Sequence, residues 1–376
     1  MVKIAALLFV LIFLSAACLI EARPVSSADV AENSWVSEAP MSEARGYLGV
    51  AAVNGKIYAI GGDQGHLMGN NYVWGVMTRD VINATEEYDT NSDTWAYMSP
   101  MPTARARFGT AVYQNKIYCI GGYNAEYADL ATNEVYDPVT DAWEVKTPLP
   151  KPIVAPATSV VDGKIYVIGG GDVVEVYDPA ADAWAAKTSP PLEVRSSASA
   201  VVDNKIYVLG EQLVQIYDPA NDSWTIRSTV KVYNSTADSW SIWPSVPVST
   251  SPGVAATTGL NALKRIYFFD ENWTAVYDPS SDSWSVGAPS LTPRCVAGAA
   301  VMDELIYVIG GREGQWGYMT DMWPSAVNEK YTPFGYGSPD PSIDITEPFP
   351  ATMVIAPIAT AAIIIGFLVY SKKRKQ

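Results

Sequence analysis

The sequence has little of what most enzyme active sites require. Its 376 residues include one histidine, His66, and no HExxH motif, phosphate-binding loop or cluster of cysteine and histidine. One histidine excludes metal centres that need two histidine ligands, and a Ser-His-Asp arrangement would depend on the same side chain. We interpret His66 as a loop residue rather than a base. The sequence therefore predicts no metal, no cofactor and no catalytic residue.

Cysteine is also scarce. The three cysteines are too few for a disulfide framework. Cys18 lies in an apolar N-terminal leader, whereas Cys119 and Cys295 fall on strand-like segments. We predict that these two are small core residues rather than a bridge or a nucleophile.

Basic residues are outnumbered by acidic ones, 25 against 40, and the formal net charge is −15. Such a surface repels nucleic acid, so we predict no nucleic-acid partner. We attribute the acidity to the solubility of an exposed protein rather than to metal binding. Helix-type patterning is nearly absent until the C-terminal end, while glycine, proline and tyrosine are abundant, at 27, 26 and 22 residues. This composition predicts an all-β protein.

Two motifs recur along the chain. The first is a strand-like stretch with Ile-Tyr at its centre and glycine at its end, at residues 55–62, 115–122, 163–170, 204–211 and 305–311. The second is a tyrosine with a tryptophan seven positions later, at Tyr88/Trp95, Tyr136/Trp143, Tyr177/Trp184, Tyr217/Trp224, Tyr233/Trp240 and Tyr277/Trp284. β-Branched and aromatic residues suit a strand buried on both faces, and glycine permits close backbone approach. Repeats of this period predict a propeller or a solenoid.

The two motifs together resemble the kelch repeat over residues 33–332. This resemblance implies a kelch β-propeller of the galactose oxidase type, and it implies little about function. The copper site of galactose oxidase needs two histidines, which excludes that chemistry here. Bacterial kelch propellers also include a sialic acid mutarotase, whose reaction needs a carboxylate and a positioning arginine. For this alternative we keep Glu126, Asp129 and Glu313 as candidate acids.

The repeats divide into six blades, with seven as the alternative. Blade one spans residues 45–95, blade two 105–143, blade three 153–184, blade four 195–224, blade five 253–284, and blade six 294–331 plus 33–37. Residues 33–36 match the tryptophan strand that ends each blade, so we predict that the N-terminal strand completes blade six and closes the ring. Residues 225–240 form half a repeat, either a hairpin insertion or an edge extension of blade four.

The chain ends predict attachment to a membrane. We assign residues 1–28 to a signal peptide, 29–331 to the propeller, 332–350 to a proline-rich stalk, 351–370 to a transmembrane helix and 371–376 to a basic tail. The positive-inside rule places the tail in the cytoplasm and the propeller outside, on a single-pass cell-membrane protein. The C-terminal segment also resembles the anchoring or sorting signals of archaeal surface proteins. Four sequons, at Asn83, Asn221, Asn234 and Asn272, are possible glycosylation sites on such a protein.

Long loops after the second strand occur in blades six, one and two, and arginines align at the start of the same three blades. We therefore predict a ligand-binding sector at Arg45, Arg105, Arg294, Arg312, Trp74, Trp316, Trp323 and Tyr123. For the aligned arginines an equal alternative is structural, with the guanidinium packed against carbonyls between blades. The predicted function is non-catalytic recognition or adhesion at the cell surface, with a glycan, an anionic ligand or a protein as partner.

Overall fold

A computed structural model shows that the chain is built of β-strands. It describes residues 31–65, 69–70, 73–74, 80–195, 198–210, 213–227, 231–234, 239–242, 253–260, 262–271, 273–314 and 322–337. These ranges contain six four-stranded antiparallel sheets and no helix, which confirms the all-β prediction. The predicted signal peptide and transmembrane helix lie outside the described residues. Within the described part of the chain, no helix is long and apolar enough to cross a membrane.

Blades one to three each consist of four consecutive strands, with one two-stranded excursion in the long loop of blade one. The strands of blade one are Gly49–Val53, Lys56–Asp63, Val81–Asp89 and Thr94–Met98, and the excursion is Gly69–Asn70 with Val73–Trp74. Blade two contains Gly109–Tyr113, Lys116–Ile120, Asn133–Asp137 and Ala142–Val145. Blade three contains Ala157–Val161, Lys164–Gly169, Val173–Asp178 and Ala183–Ala186.

Blades four and five repeat this order, and blade six takes its last strand from the N-terminus. The strands of blade four are Ala198–Val202, Lys205–Gly210, Leu213–Asp218 and Ser223–Arg227. Blade five contains Val254–Thr258, Arg265–Asp270, Trp273–Asp278 and Ser283–Val286. Blade six contains Gly298–Met302, Leu305–Ile309, Asn328–Thr332 and Ser34–Glu38. The segments that flank the first two strands of blade six form a small three-stranded sheet of Arg294–Cys295, Arg312–Glu313 and Trp323–Pro324.

The N-terminal strand pairs where the sequence predicts. Ser34–Glu38 runs antiparallel to Asn328–Thr332, with Trp35 opposite Tyr331. The first strands of the six sheets contact one another in a closed cycle, in the order of the blades and back from six to one. The N-terminal strand thus completes the sixth sheet where the sequence predicts it, and each first strand lies against the first strands of two other sheets.

The glycine pairs follow from the contact between neighbouring blades. A Cβ at Gly61 would lie 2.7 Å from the carbonyl oxygen of Arg105, at the start of blade two. At Gly121 the equivalent distance is 2.4 Å to the carbonyl oxygen of Ile153, at the start of blade three. Both glycines have positive φ, 55° and 72°. Only glycine combines this backbone conformation with so close an approach.

The Tyr–Trp pairs join each blade to the one before it. In blade one the Tyr88 hydroxyl donates to Asp93 Oδ1 at 2.7 Å, and the same oxygen accepts from the backbone N–H of Ala39 at 2.7 Å. Trp95 Nε1 donates to the carbonyl of Ala39 at 2.7 Å. The arrangement recurs at Asp141, Asp182 and Asp222. We call it the aspartate clasp; in blade six its acceptor is the amide oxygen of Asn33.

Two further predictions are resolved by the strands. In the half-repeat, residues 231–234 pair with 239–242 as a separate two-stranded sheet, with Tyr233 opposite Trp240, so the half-repeat is a hairpin insertion. Cys119 and Cys295 are unpaired and buried, and burial raises the pKa of each thiol to about 12. So high a pKa leaves almost no thiolate at neutral pH, which does not suit a nucleophile. Both cysteines are core residues, as predicted.

Each sheet has two ends with different roles. First strands begin and second strands end on one side of the ring, which we call the entry face. The third strand of blade six runs away from that face and ends at Thr332. The next residues, at the start of the predicted stalk, pack on the propeller: the Phe334 N–H donates to the Tyr267 hydroxyl at 3.0 Å. The chain therefore leaves blade six on the side opposite the entry face.

Candidate functional site

The three aligned arginines lie below the surface, each ion-paired with a glutamate on the third strand of its own blade. The pairs are Arg45–Glu86 at 2.6 Å, Arg105–Glu134 at 2.5 Å and Arg294–Glu329 at 2.7 Å. Their exposed fractions are 0%, 0% and 3%. Each guanidinium also donates to a second-strand carbonyl of its own blade, which for Arg45 is that of Ala59 at 3.0 Å. The geometry favours the structural alternative, with contacts inside a blade rather than between blades.

The other predicted site residues have different surroundings. Arg312 is buried, ion-paired with Asp63 at 3.5 Å, and donates to the carbonyl of Gly65. Tyr123 is buried, and its ring is stacked at 6.3 Å on that of Tyr127. The side chain most open to a ligand is Trp323, with 56% exposed. The side chain of Trp74 and the whole of Trp316 lie outside the description, so their binding roles stay predictions.

Two of the four sequons fall on described side chains. Asn83 is half-buried, and its Nδ2 donates to the carbonyl of Met101 at 2.9 Å. Asn221 is exposed in a turn, with Nδ2 3.1 Å from Asp218 Oδ2. A glycan on Asn83 would require its amide to leave a backbone hydrogen bond, whereas Asn221 is accessible. The side chain of Asn234 and all of Asn272 lie outside the description.

A ring of strained backbone surrounds the axis on the entry face. Tyr47, Arg107, Ala155 and Val296 occupy equivalent positions, two residues before the first strand, with φ of 58°, 54°, 52° and 51°. Such angles are costly for residues with a Cβ, and above all for valine. Hydrogen bonds from blade to blade offset the strain. The N–H of Tyr47 donates to the carbonyl of Val296, that of Arg107 to Tyr47, and that of Ala155 to Arg107, at 2.9, 2.9 and 2.7 Å.

The ring opens on a cavity along the axis. Its volume is about 210 Å³, and residues that begin the first strands of all six blades line it. Below it, the channel continues into a space of about 240 Å³ whose lining includes the hydroxyls of Thr110, Thr158 and Ser199. No aspartate or glutamate is among the described lining residues of either space.

Arg107 is the charged side chain at this opening. It is half-buried, and its guanidinium carbon lies 4.5 Å from the centre of the Tyr47 ring. Arg312 lies 5.5 Å from the centre of the same ring. In the described residues, every other arginine with a described side chain has a carboxylate partner and Arg107 has none. A guanidinium whose donors are uncommitted is suited to bind a carboxylate or another oxyanion.

Tyr47 lines the same opening, and its ring lies against the guanidinium of Arg107. Burial raises the pKa of its phenol, while the positive charges of Arg107 and Arg312 act in the opposite direction. Because burial dominates, the phenol keeps its proton at neutral pH and can donate a hydrogen bond. Tyr47 and Arg107 lie side by side at the opening, and we call this pair the Arg107–Tyr47 site.

The sequence interpretation missed both residues. It aligned the arginines four positions before the first strand, at Arg45, Arg105 and Arg294, and stopped there. Two positions later the alignment reads Tyr47, Arg107, Ala155 and Val296, which are the residues that face the axis. Nothing in residue type marks this position, because the direction of the residue depends on its left-handed backbone angles and on hydrogen bonds between neighbouring blades.

Comparisons with known proteins agree with this architecture. The Kelch motif matches residues 44–102, 104–150 and 153–191. Similar curated sequences include the influenza virus NS1A-binding protein homolog of Mus musculus, 36% identical over 92 residues, and Kelch-like protein 36 of Rattus norvegicus, 32% identical over 92 residues. Kelch-like protein 28 of Homo sapiens is 33% identical over 94 residues. These matches cover 24–25% of this chain and only 12–16% of the relatives.

A solved structure extends the likeness to most of the chain. The structure of YjhT, a kelch propeller, aligns with a TM-score of 0.57 at 14% sequence identity. The alignment covers 77% of this chain and 95% of that one. With the motif matches and the antiparallel sheets, it shows a kelch-repeat β-propeller fold.

Proposed function

We propose that this kelch propeller is a six-bladed recognition module that binds an anionic group of its ligand at the Arg107–Tyr47 site and does not turn the ligand over. The ligand class that fits is a carboxylated glycan or an acidic segment of a protein. A guanidinium supplies paired donors in the plane of a carboxylate, and the Tyr47 ring supports that guanidinium through a cation–π contact. The exposed Trp323 gives an aromatic surface on the same side of the ring.

The observation that carries the proposal is the state of Arg107. It lines the axial cavity, it has no carboxylate partner in the described residues, and its backbone is held in a strained conformation by both neighbouring blades. Strain of this kind persists where the surroundings over-determine it, which is common at binding sites. A half-buried charge without a partner costs free energy that a bound anion would offset.

The competing function is sugar mutarotation. It requires a carboxylate near the arginine to move a proton at the anomeric centre. The candidate acids do not line the described cavity: Glu126 and Asp129 are exposed on the long loop of blade two, and Glu313 accepts from Ser325 Oγ at 2.8 Å. We therefore keep binding without turnover as the proposal and mutarotation as the alternative that an assay must test.

Surface display completes the proposal. We propose the signal peptide, the stalk, the C-terminal membrane helix and the archaeal-type anchor as the sequence predicts them. The chain leaves blade six opposite the entry face, so an anchor at the C-terminus would direct the Arg107–Tyr47 site away from the membrane. Protease added to intact cells should then release a fragment of propeller size, and a protected fragment would contradict the anchor.

A glycan array of neutral, sialylated and uronic-acid glycans tests the recognition proposal. We expect carboxylated glycans to bind the parent protein and to lose about tenfold or more in affinity with Arg107→Ala, the size expected for one charge-assisted contact. Arg195→Ala is the control, because Arg195 is exposed and paired with Glu193. An NMR measurement of N-acetylneuraminic acid anomer exchange distinguishes the alternative, since accelerated exchange would establish turnover. Equal binding by Arg107→Ala would overturn the site.

A further inference from the structure

One buried acid lacks the partner that its equivalents have. In blades one, two and six the glutamate opposite the middle of the second strand is paired with the aligned arginine, as in Glu134 with Arg105. Glu175 holds the same register in blade three, opposite Val167, just as Glu134 is opposite Cys119. Ile153 stands where the arginine would be. Blade three therefore keeps the acid and lacks the base.

Backbone hydrogen bonds confirm that Ile153 occupies the arginine position. The carbonyl of Arg105 accepts from the N–H of Gly62 at 3.1 Å, and the carbonyl of Ile153 accepts from the N–H of Gly122 at 2.8 Å. Each bond joins the second glycine of one blade to the start of the next. Ile153 is buried among apolar residues and offers the glutamate no donor.

Glu175 is 8% exposed, and its carboxylate makes no hydrogen bond or ion pair within the described residues. Burial raises its pKa, and Lys151 is the charged group whose field opposes this. Lys151 is itself exposed and forms no ion pair with Glu175 in the described structure. Its oxygens are not among the fully enclosed atoms without a partner, so the carboxylate is only partly desolvated and a cation can reach it.

In blades four and five a neutral residue takes the place of the glutamate, and no cation is needed to balance it. Gln215 takes the place of the glutamate in blade four and bonds both ways with the backbone of Leu192, at 3.1 Å each. Ala275 takes the place in blade five, opposite Phe268. Both replacements are neutral and satisfied. Among the described blades without the arginine, blade three is the one that retains a charged side chain.

Blade three also has little chain above this position. Its second and third strands are joined by residues 170–172, compared with 121–132 in blade two. A Cβ at Gly171 would meet no atom within 4 Å, and the backbone of Gly171 exchanges hydrogen bonds with that of Val194 in the next blade. Over the blade whose glutamate lacks a partner, the entry face therefore carries a short turn, as it does over blades four and five.

We propose that Glu175 is a binding site for the guanidinium group of an arginine side chain in a partner peptide or protein. The group would occupy the relation to Glu175 that Arg105 has to Glu134. There, the guanidinium reaches the carboxylate and the carbonyl of Cys119, at 2.5 and 2.9 Å. In blade three the corresponding acceptors are the Glu175 carboxylate and the carbonyl of Val167. Planar paired donors match this geometry, which is why arginine is favoured over lysine. The site is separate from the Arg107–Tyr47 site.

The test is a ligand-observed NMR titration of the full chain with Nα-acetyl-L-arginine amide, with the citrulline analogue as the neutral probe of the same shape. We expect binding of the arginine probe at millimolar concentration, with an affinity at least about tenfold above that for citrulline. Glu175→Gln should remove this difference. Asp172→Asn, at an exposed acid in the adjoining turn, is the matched control and should retain it. No binding to the parent, or equal binding by Glu175→Gln, overturns the proposal.

Two further variants separate binding from folding. Ile153→Arg supplies an internal guanidinium, and we expect it to abolish probe binding while the melting temperature stays at or above that of the parent. Lys151→Gln removes the nearby positive charge and should leave probe binding equal or tighter. If Lys151→Gln instead abolishes binding, or Ile153→Arg folds and binds like the parent, the guanidinium site is excluded.

Discussion

Blades six, one and two differ from blades three, four and five in two respects that accompany each other. The first three have a buried Arg–Glu pair and a long loop after the second strand, and the described part of the other three has neither. The buried Arg–Glu pair connects the start of the first strand to the second and third strands, at the end of the sheet where the long loop begins. A long loop closes two strands at a somewhat higher entropic cost than a short turn does. We interpret the buried pair as the contact that holds these strands together where a long loop follows the second strand.

This interpretation changes what the sequence pattern means. Long loops and aligned arginines both select the same three blades, and each was evidence for a binding sector. On this interpretation they share one mechanical cause, so they are not two independent signs of a ligand. The residue that faces the axis, Arg107, belongs to neither set. The arginines that are paired with glutamate support the blades, whereas Arg107 is available to a ligand.

Removing a supporting arginine should have the largest effect. Arg45→Ala would leave the carboxylate of Glu86 buried without its partner, and we expect a loss of about 3–5 kcal/mol in the free energy of unfolding. Arg195→Ala, at an exposed pair, should change it by less than about 1 kcal/mol. Denaturant unfolding of the two variants measures the difference. Equal stability of both would show that the buried pair does not support blade one.

Removing the axial arginine should affect binding and leave stability nearly intact. Arg107→Ala should weaken binding of a carboxylated ligand by about 1.5–3 kcal/mol, since one charge-assisted contact is lost. Its melting temperature should stay close to the parent value because the blade-to-blade hydrogen bonds of residue 107 use only backbone atoms. Calorimetry with the best glycan from the array provides both numbers. A large fall in melting temperature would assign Arg107 to the supporting group.

Acid should weaken the clasps in both halves of the ring. Hydrogen bonds from tyrosine and backbone N–H groups lower the pKa of Asp93, Asp182 and Asp222 below 3.8, and that of Asp141 is also lowered although burial opposes the shift. A lowered folded-state pKa gives stability that is complete above about pH 4 and is lost as pH falls through the folded value. We expect the melting temperature to drop below pH 4.

The chain itself supplies the control for this effect. Blade six uses Asn33 in the clasp, so an amide oxygen fits the same hydrogen bonds. Asp182→Asn should therefore fold at neutral pH and show a shallower loss of stability in acid than the parent. An unchanged acid profile would mean that Asp182 does not contribute to it.

Glu175 should respond to pH in the opposite sense, with the smallest effect. Its pKa is raised above the ordinary 4.5 by burial, so the folded state holds the proton more tightly than the unfolded chain does. Its contribution to stability is therefore unfavourable at neutral pH and improves as pH falls through the folded pKa towards 4.5. Glu175→Gln should be slightly more stable than the parent at pH 7, and the two should converge near pH 4. A destabilised Glu175→Gln at pH 7 would show that the charged form is already satisfied.

Much of the fold could be predicted from the amino-acid sequence. The Ile-Tyr segments indicate a buried strand. The glycine pairs indicate a close approach of neighbouring backbone, and the Tyr–Trp pairs indicate a turn followed by an edge strand. Each of these is a local requirement. Because the requirement repeats, the ring could be predicted from the recurring motifs, and the closing strand from residues 33–36, which match the tryptophan strand of each blade. The burial of Cys119 and Cys295 followed from the same strand assignments.

The candidate site could not be predicted in the same way. Residue type indicates that arginine is charged, and it does not indicate whether a carboxylate on the third strand of the same blade already neutralises it. Arg45 and Arg107 are the same residue type a few positions from equivalent strands, yet one is enclosed by its blade and the other faces the axis. Sequence by itself determined the repeat and the closure, because these depend on local backbone and packing preferences. Only the tertiary structure decided which charges are paired, because pairing depends on distances between blades and strands that the chain sets when the ring is complete.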